Sequence, residues 1–417
     1  MFPKPLDLPR LRAQFPALAR QLDGQAVIYA DGPGGTQVPL SVTDAMTAYL
    51  TTSNANFGGV FAASKETNSM VAQARTSMAH FLNATSPDEI VFGQNMTSLT
   101  FAMSRALART WQDGDEIIVT ALDHDANVQP WRMAAEDRGV VVRTLPFTEP
   151  DASLAVADLL PLLSPRTRLV ALTAASNAVG SMVDLQPLIA AAKSVGALTY
   201  IDAVHFAPHG VIDVQSLGCD FLTCSAYKFS GPHLGIQYGR RALLESLTAY
   251  KVRPSSAVPP GKWETGTQNT EAIAGLQACL THIAEIGSDQ MQPACSRAHL
   301  VAGIQRIAAH EQILSARFLA GIATIPSMTV FGRVDPTCVH TRTPTFGLVL
   351  AGRAPRYVSE FLAARGIFVW DGHFYAQGVV EQLRLADRGG LVRIGFAHYT
   401  TLDEVDTVVA ALRAVVA

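Results

Sequence analysis

The clearest chemical signal in the sequence is an aspartate and a lysine that each stand at the end of a short apolar run. Asp202 ends the run 198–201, and Lys228 follows the run 220–224 within a turn rich in glycine, proline and serine. An amine buried at a strand end loses its proton more readily than in water and can attack an aldehyde. A neighbouring carboxylate can keep a basic ring nitrogen protonated. The pair therefore predicts a site for an aromatic aldehyde, although alone Lys228 is typical of a solvated surface residue and Asp202 of a helix N-cap.

Two further strand ends carry residues that fit the same kind of ligand. In the stretch 93–98, Thr97 and Ser98 stand where a strand gives way to a helix, and free N–H groups at a helix N-terminus suit a phosphate. His124 follows the strand that ends at 120 and can stack on an aromatic ring or transfer protons. On these residues alone, a simple helix cap by Asn95 or Thr97 is the preferred interpretation, and His124 can equally be a capping or satisfied loop histidine.

The acidic, histidine and cysteine residues predict no metal site. Asp123, His124 and Asp125 are consecutive, so their side chains diverge, and His205 and His209 span a proline without an obvious third ligand. The five cysteines are odd in number and form no C-x-x-C motif, which argues against a disulfide framework or a zinc site. We therefore expect a reducing, cytoplasmic location.

A parallel sheet is needed to position these residues, and the sequence predicts one. Over the first two-thirds of the chain, short apolar runs alternate with helical patterns. We predict strands at 89–92, 116–120, 140–145, 169–173, 198–201 and 220–224, and helices at 97–109, 126–138 and 185–195. Apolar strands between amphipathic helices are typical of an α/β fold whose sheet is buried on both faces. Ligands bind beyond the carboxyl ends of such strands, where the candidate residues lie.

The pattern changes after about residue 285, which predicts a second domain. The segment 290–325 is mostly helical, and 329–417 mixes strands such as 346–350 with helices such as 356–365. We interpret this part as a smaller α+β domain, which a helix near 8–18 joins. The predicted organisation is a large cofactor-binding domain at 25–285 and a small domain formed by 1–24 and 286–417.

Composition and charge exclude several classes of protein. The 417 residues carry 32 basic and 35 acidic side chains, which gives no electrostatic case for binding nucleic acid or an anionic membrane. Early prolines and Asp7 replace the apolar run of a signal peptide, and no apolar run reaches the length of a membrane span. No G-x-G-x-x-G motif follows the first strand, which argues against a nicotinamide-dependent oxidoreductase.

Beyond these physical signals, the sequence resembles class V aminotransferases of the fold type I superfamily of pyridoxal 5′-phosphate (PLP) enzymes. More narrowly, it is similar to the cysteine desulfurase-like subgroup. The stretches 29–39, 56–64, 342–346 and 369–376 carry the resemblance, together with the surroundings of Lys228. It implies a large domain with a mostly parallel central sheet between helices, a smaller α+β domain, and PLP acting on an amino acid. It also implies a homodimer with shared active sites.

The resemblance implies roles for individual residues by position. Lys228 is expected to carry the cofactor as a Schiff base and to move the Cα proton, and Asp202 to pair with the pyridine nitrogen. His124 is expected to stack on the ring. Arg393 is expected to bind the substrate carboxylate, for which a planar guanidinium is suited. The remaining cofactor contacts are expected from Thr97, Ser98, Asn177, His205, Ser225, Tyr227 and, for the phosphate of the other subunit, Thr267.

One departure from the subgroup affects the expected reaction. Cysteine desulfurases carry a nucleophilic cysteine on a loop over the cofactor, and the matching run 372–376 has Tyr375 at that position. A phenol cannot accept sulfur as a persulfide, so Tyr375 is expected to line the substrate pocket. The expected reaction is carbon–sulfur β-elimination, with transamination or epimerisation as alternatives. A PLP-binding protein without turnover is a further alternative, which Lys228, Asp202 and Arg393 together disfavour.

Overall fold

A seven-stranded sheet forms the centre of the computed structural model, which describes residues 4–288, 290–325 and 327–416. Its order is β1-β7-β6-β5-β4-β2-β3, numbered along the chain. The five neighbouring strands β6, β5, β4, β2 and β3 are all parallel. Strand β7 is antiparallel to both of its neighbours, β6 and β1. The strands are β1 Ile90–Gly93, β2 Glu116–Thr120, β3 Val141–Leu145, β4 Thr167–Thr173, β5 Leu198–Asp202, β6 Phe221–Ser225 and β7 Gly235–Gly239.

The α-helices supply most of the regular secondary structure of the described chain. Over the described residues they are α1 Leu8–Arg12, α2 Leu40–Ala48, α3 Ala62–Leu82, α4 Met96–Ala108, α5 Gln129–Glu136, α6 Val156–Leu159, α7 Leu185–Ser194, α8 Val214–Leu217, α9 Arg241–Ser246, α10 Thr270–Ser288, α11 Arg297–Ile322, α12 Pro355–Ala363, α13 Gln377–Gln382 and α14 Leu402–Val416. No helix of this part of the chain is both long and apolar enough to cross a bilayer.

The large sheet is buried on both faces, and alternate residues of a strand enter different cores. In β4, Val170 and Leu172 belong to one buried cluster, whereas Leu169 and Ala171 belong to another that includes Trp131 of α5. Because side chains alternate along a strand, helices must cover both faces to keep such a strand out of water. The apolar strands therefore fix the mostly parallel α/β architecture that the sequence predicts.

A second sheet, antiparallel and four-stranded, is formed by the later part of the chain. Its order is β8-β9-β11-β10. Helix α11 contributes Leu300 and Ile304 to the core of the large sheet and Phe318 and Ile322 to the core of the small sheet. One helix therefore links the two cores. The strands are β8 Met328–Phe331, β9 Thr345–Leu350, β10 Trp370–Gly372 and β11 Leu391–Gly395.

Four two-residue strands complete the described β-structure. Gln21–Leu22 pairs with Gln25–Ala26, and Ile28–Tyr29 pairs in parallel with Ile367–Phe368. The N-terminal segment contacts both cores, since Leu11 packs with the large sheet and Ile28 with the small one. The domain boundaries at 24/25 and 285/286 remain a prediction.

The structure differs from the predicted elements in two helices and adds elements that were not predicted, among them α2, α3 and β7. The helix expected near 8–18 ends at Arg12 and is followed by a 3-10 turn, because Pro16 has no N–H to continue it. The helix expected at 126–138 is divided into the 3-10 turn Asp125–Asn127 and α5, in whose first turn Pro130 lies. Strand β7 was not predicted. It begins and ends with glycine and follows a stretch rich in glycine and proline, a pattern that is typical of a loop.

The core of the small sheet depends on Phe318, which is fully buried with its ring 4.4 Å from that of Phe346. We expect Phe318→Ala to lower the free energy of unfolding by about 3–5 kcal/mol, because truncation removes buried surface and leaves a cavity. Denaturant unfolding followed by circular dichroism measures the change, with the half-exposed Tyr357→Ala as control. A loss below about 1 kcal/mol would show that this core does not depend on the ring.

Candidate active site

Asp202 and Lys228 lie at the carboxyl edge of the large sheet. Asp202 is the last residue of β5, and Lys228 ends the 3-10 turn Ala226–Lys228 that follows β6. Strands β5 and β6 are adjacent and parallel, so both residues reach the same edge. Their exposed fractions are only 4% and 9%. The edge therefore holds a carboxyl group and an amine that are both largely removed from water.

This burial lowers the proton affinity of the Lys228 amine. Burial and, to a smaller extent, the charge of Arg393 lower the pKa of Lys228 to about 7, although Asp202 and Asp31 oppose them. Burial also raises the pKa of Asp202 to about 6, against the N–H of Val204 at 2.8 Å and the charge of Lys228. An amine that is partly neutral near pH 7 can attack an aldehyde.

The turn 31–35 closes over the lysine. Lys228 Nζ donates a hydrogen bond to the backbone carbonyl of Pro33. Gly35 has a φ of +147°, and a Cβ there would meet the Tyr227 ring at 3.1 Å, so this approach requires glycine. Burial raises the pKa of Asp31 to about 6, against the charge of Lys228 among others. Sequence reasoning missed Asp31, although it lies in the stretch 29–39 that carries the resemblance.

His124 presents a neutral ring at the same edge. Its Nδ1 accepts a hydrogen bond from the N–H of Ala126 at 3.0 Å, so the proton of the neutral ring is on Nε2. Burial lowers the pKa of His124 to about 4, with help from the charges of Lys228 and Arg393. The ring stacks on that of Tyr375, with centroids 5.5 Å apart and planes at 21°. His124 is therefore uncharged near pH 7 and keeps an N–H for donation.

His205 lies near Lys228 and is held from behind by the small sheet. Its Nε2 contacts the hydroxyls of Thr343 at 3.1 Å and Thr345 at 3.0 Å. Its Nδ1 is buried and has no hydrogen-bond partner among the described residues. Burial, the charge of His209 and that of Lys228 lower the pKa of His205 well below its usual range. Both threonines were missed in the sequence, although the stretch 342–346 contains them.

Arg393 of β11 reaches the site from the small sheet with one edge unused. Its Nη1 donates to the backbone carbonyl of Asn177 at 3.0 Å, and its guanidinium lies 4.3 Å from the ring centroid of Phe374. Its Nε is buried and has no acceptor in the described part of the chain. Burial lowers the pKa of Arg393 to about 10, which leaves it charged near pH 7. A planar cation with a free edge is suited to a carboxylate.

The loop that carries Phe374 and Tyr375 is held above these residues. Both have positive φ values, 55° and 57°, which are uncommon for aromatic residues. Asn177 Nδ2 donates to the carbonyl of Phe374 at 2.9 Å, and the N–H of Asp125 donates to that of Tyr375 at 2.6 Å. The Tyr375 side chain is 69% exposed. Tyr375 therefore lies on the solvent side of the site.

The residues expected to bind a phosphate lie around the N-terminus of α4 and the end of β6. Thr97 and Ser98 are exposed in the first turn of α4, where Asn95 Oδ1 accepts the N–H of Ser98 at 2.8 Å. Asn95 therefore caps the helix, and the hydroxyl groups of Thr97 and Ser98 beside it are exposed to solvent. Ser225 is buried at the end of β6, and the half-buried Tyr227 stacks on a histidine ring.

The residues around Lys228 form a connected cluster, from which Thr267 is separate. Hydrogen bonds or electrostatic effects connect Lys228, Asp202, Asp31, His124, His205, Asn177 and Arg393. Thr267 lies in an exposed turn before α10 and makes no hydrogen bond to this cluster within the described protein. One protomer therefore brings the catalytic and carboxylate-binding candidates together, but not Thr267.

The family model of Aminotransferase class-V matches residues 28–408 of the chain. The chain belongs to the class V aminotransferase family. A cysteine desulfurase from Pectobacterium carotovorum is 33% identical over 97% of both proteins. A second, from Dickeya dadantii, is 31% identical over 98% of this chain and 96% of that protein. These relatives place the chain in the cysteine desulfurase-like subgroup that its sequence resembles.

Solved structures confirm the fold type I architecture. The cysteine desulfurase CsdA from Escherichia coli matches 99% of both chains with a TM-score of 0.83 and 28% identity. A cysteine desulfurase from Thermococcus onnurineus matches 100% of this chain and 99% of its own, with a TM-score of 0.87 and 24% identity. The likeness covers both sheets of the chain.

Class V aminotransferases use PLP, and this chain is a PLP-dependent enzyme. The residues present fit that cofactor. Asp31 Oδ1, His205 Nδ1 and Arg393 Nε are buried near Lys228 without a hydrogen-bond partner in the described protein. Buried polar atoms are rarely left unpaired. Such a group of atoms around a partly neutral amine fits a ligand system with an aldehyde, a ring hydroxyl and a substrate carboxylate.

The low pKa of Lys228 leads to a prediction for the apoenzyme. We expect the rate constant for PLP attachment to rise with pH through a midpoint at about 7 and then to level off, because only the neutral amine attacks the aldehyde. Stopped-flow absorbance of apoenzyme mixed with PLP at a series of pH values measures it. A rate that keeps rising toward about pH 10, as for an exposed lysine, would contradict the assignment.

Proposed function

We propose that this PLP-dependent enzyme breaks the carbon–sulfur bond of a cysteine-type amino acid by β-elimination. The observation that carries the proposal is Tyr375, which stands at the loop position where the resemblance places the nucleophilic cysteine of cysteine desulfurases. A phenol does not accept sulfur from a substrate. An elimination releases the sulfur directly, so it needs no acceptor on the protein.

The positions of the cysteines support this proposal. Cys219, Cys224 and Cys279 are buried, and burial raises the pKa of each, so they remain thiols near neutral pH. The other two, Cys295 and Cys338, lie outside the loop 372–376. No cysteine of the chain therefore has the loop position that a persulfide mechanism uses.

We propose that Lys228 holds PLP as a Schiff base, with Asp202 at the pyridine nitrogen and His124 against the ring. When bound, PLP stabilises the electron pair that remains after an amino acid loses its Cα proton. Asn177 and His205 are proposed to contact the ring hydroxyl, and the unpaired Nδ1 of His205 supports this. The phosphate is proposed to be held by Thr97, Ser98, Ser225, Tyr227 and Thr267 of a second subunit.

Lys228 is proposed to move the protons of the reaction, with His124 as a hydrogen-bond donor. The Lys228 amine, with a pKa of about 7, takes the Cα proton. The substrate sulfur leaves with the electron pair of the broken bond and gains the proton that Lys228 now carries, while the neutral His124 ring is proposed to donate a hydrogen bond to it through Nε2–H. Water then releases ammonia and a keto acid. For cysteine the products are pyruvate, ammonia and hydrogen sulfide, so the reaction needs no oxidant or reductant.

Arg393 is proposed to orient the substrate through its free edge. Its Nη1 donates to the Asn177 carbonyl, and the face of its guanidinium packs on the Phe374 ring. The edge that carries the unpaired Nε is therefore left for a carboxylate. A carboxylate that accepts two parallel hydrogen bonds is held in one orientation. Tyr375, exposed beside His124, is proposed to line the side of the pocket that the substrate enters.

We also propose a cytoplasmic homodimer that shares its active sites. Thr267 is exposed and separate from the cluster around Lys228 in one protomer, which suits a contact with a second copy. Phe57, Val60 and Phe61 are 46%, 87% and 59% exposed and give an apolar surface for such a contact.

The product formed from L-cysteine without a thiol acceptor tests the proposed reaction. We expect pyruvate and sulfide in equal amounts, because elimination releases both from one molecule of substrate. Lactate dehydrogenase coupling and a sulfide assay measure them. Alanine with sulfane sulfur would contradict the proposal. If neither product forms while the cofactor absorbance is intact, cysteine elimination is also wrong, and transamination or epimerisation takes its place.

The role of Arg393 predicts a change confined to substrate binding. We expect Arg393→Lys to lower kcat/KM about 100-fold, mainly through KM, because a lysine cannot make two parallel hydrogen bonds. The absorbance of bound PLP is expected to stay as in the parent. Steady-state kinetics measure the effect, with the exposed Arg388→Lys as matched control. An unchanged KM would remove Arg393 from the substrate site.

A further inference from the structure

Asp123 is a buried carboxylate whose hydrogen bonds tie three elements of the active site together. Its side chain is 2% exposed. One oxygen accepts hydrogen bonds from the Thr120 hydroxyl and from the backbone N–H of Thr173 at 3.1 Å. The other oxygen accepts from Asn127 Nδ2 at 2.7 Å. These partners belong to the end of β2, the end of β4 and the 3-10 turn Asp125–Asn127.

The hydrogen-bond chain has a fixed donor at each end. Asn127 Oδ1 accepts from Trp131 Nε1 at 3.0 Å, and both this indole N–H and the backbone N–H of Thr173 can only donate. Between two such ends, one carboxylate and one amide satisfy every contact. Two amides cannot satisfy every contact. If each amide turns its oxygen toward the fixed donor at its end of the chain, the two amide N–H groups face each other, and if either amide is flipped its N–H group faces that fixed donor. The arrangement therefore requires one carboxylate and one amide at positions 123 and 127.

Both sides of this network reach the proposed cofactor contacts. His124 directly follows Asp123, and its ring accepts a hydrogen bond within the turn that Asn127 ends. Thr173 lies opposite Asp202 in the register of β4 and β5. Burial raises the pKa of Asp123, hydrogen bonds from the side chains around it lower it, and the charge of Asp202 raises it again. The two carboxyl groups therefore lie within electrostatic reach of each other.

We propose that Asp123 is a positioning residue, which holds the His124 ring and the Asp202 strand end in the arrangement that binds PLP. This inference rests on the roles proposed above for His124 and Asp202. Asp123 itself is buried behind the turn and acts through its neighbours. Its contribution depends on matched hydrogen bonds, so an exchange of the carboxylate and the amide is expected to preserve it.

That exchange is the test. Asp123→Asn alone is expected to raise the Kd of the apoenzyme for PLP about tenfold or more, because a buried donor is left facing a donor. The double variant Asp123→Asn/Asn127→Asp restores one carboxylate and one amide, and we expect its Kd within about threefold of the parent value. The exposed Asp137→Asn, which also removes a carboxylate near α5, is the control and is expected to bind PLP normally.

Absorbance titration with PLP gives the Kd, and visible circular dichroism of the bound cofactor reports whether its ring is held in one orientation. If Asp123→Asn does not fold, Thr120→Val removes a single donor and is expected to weaken PLP binding about threefold. The proposal is overturned if Asp123→Asn or Thr120→Val binds PLP as the parent does, or if the double variant stays as weak as the single one. Lys228→Ala is measured in parallel: retained covalent PLP would refute the proposed site rather than this inference.

Discussion

The removal of water from Lys228 is the interaction on which the rest of the site depends. An ammonium group in an apolar interior is unfavourable unless it is paired or loses its proton. The structure places Arg393 near Lys228, which favours proton loss, and Asp31 and Asp202, which oppose it. The balance leaves an amine that changes protonation near neutral pH. Arg393 and Asp202 are themselves buried and Asp31 is half-buried, so water has little access to these charges.

Two sheets must meet for this cluster to form. The large sheet brings Asp202 and Lys228 to one edge because its strands are parallel there. The small sheet supplies Arg393 from β11, and Thr345 at the start of β9 contacts His205 from behind together with Thr343 just before it. Helix α11 packs in both cores and joins the sheets. The carboxylate site and the cofactor site therefore depend on a single relative placement of the two cores.

The sequence predicts the parts of the site that depend on strand ends, and it misses those that depend on tertiary contacts. Asp202 and Lys228 can be predicted because Asp202 ends an apolar strand and Lys228 lies in the turn after one. The parallel order is readable because strands buried on both faces have continuous apolar residues. Asp31 and Asp123 are not readable, since a carboxylate before a turn is usually a solvated residue or a cap. Only the fold buries Asp123 among donors from three elements. Strand β7 was missed because its glycine ends are typical of a loop, and only its pairing with β1 and β6 makes it a strand.

The attachment of PLP to Lys228 is the assignment from which the other proposed roles follow. Borohydride reduction of the PLP-loaded enzyme, followed by proteolysis and mass spectrometry, locates it directly, because reduction makes a Schiff base permanent. We expect one phosphopyridoxyl group per chain, on the peptide that contains Lys228. A label on another lysine, or PLP that is released unmodified after reduction, would contradict it.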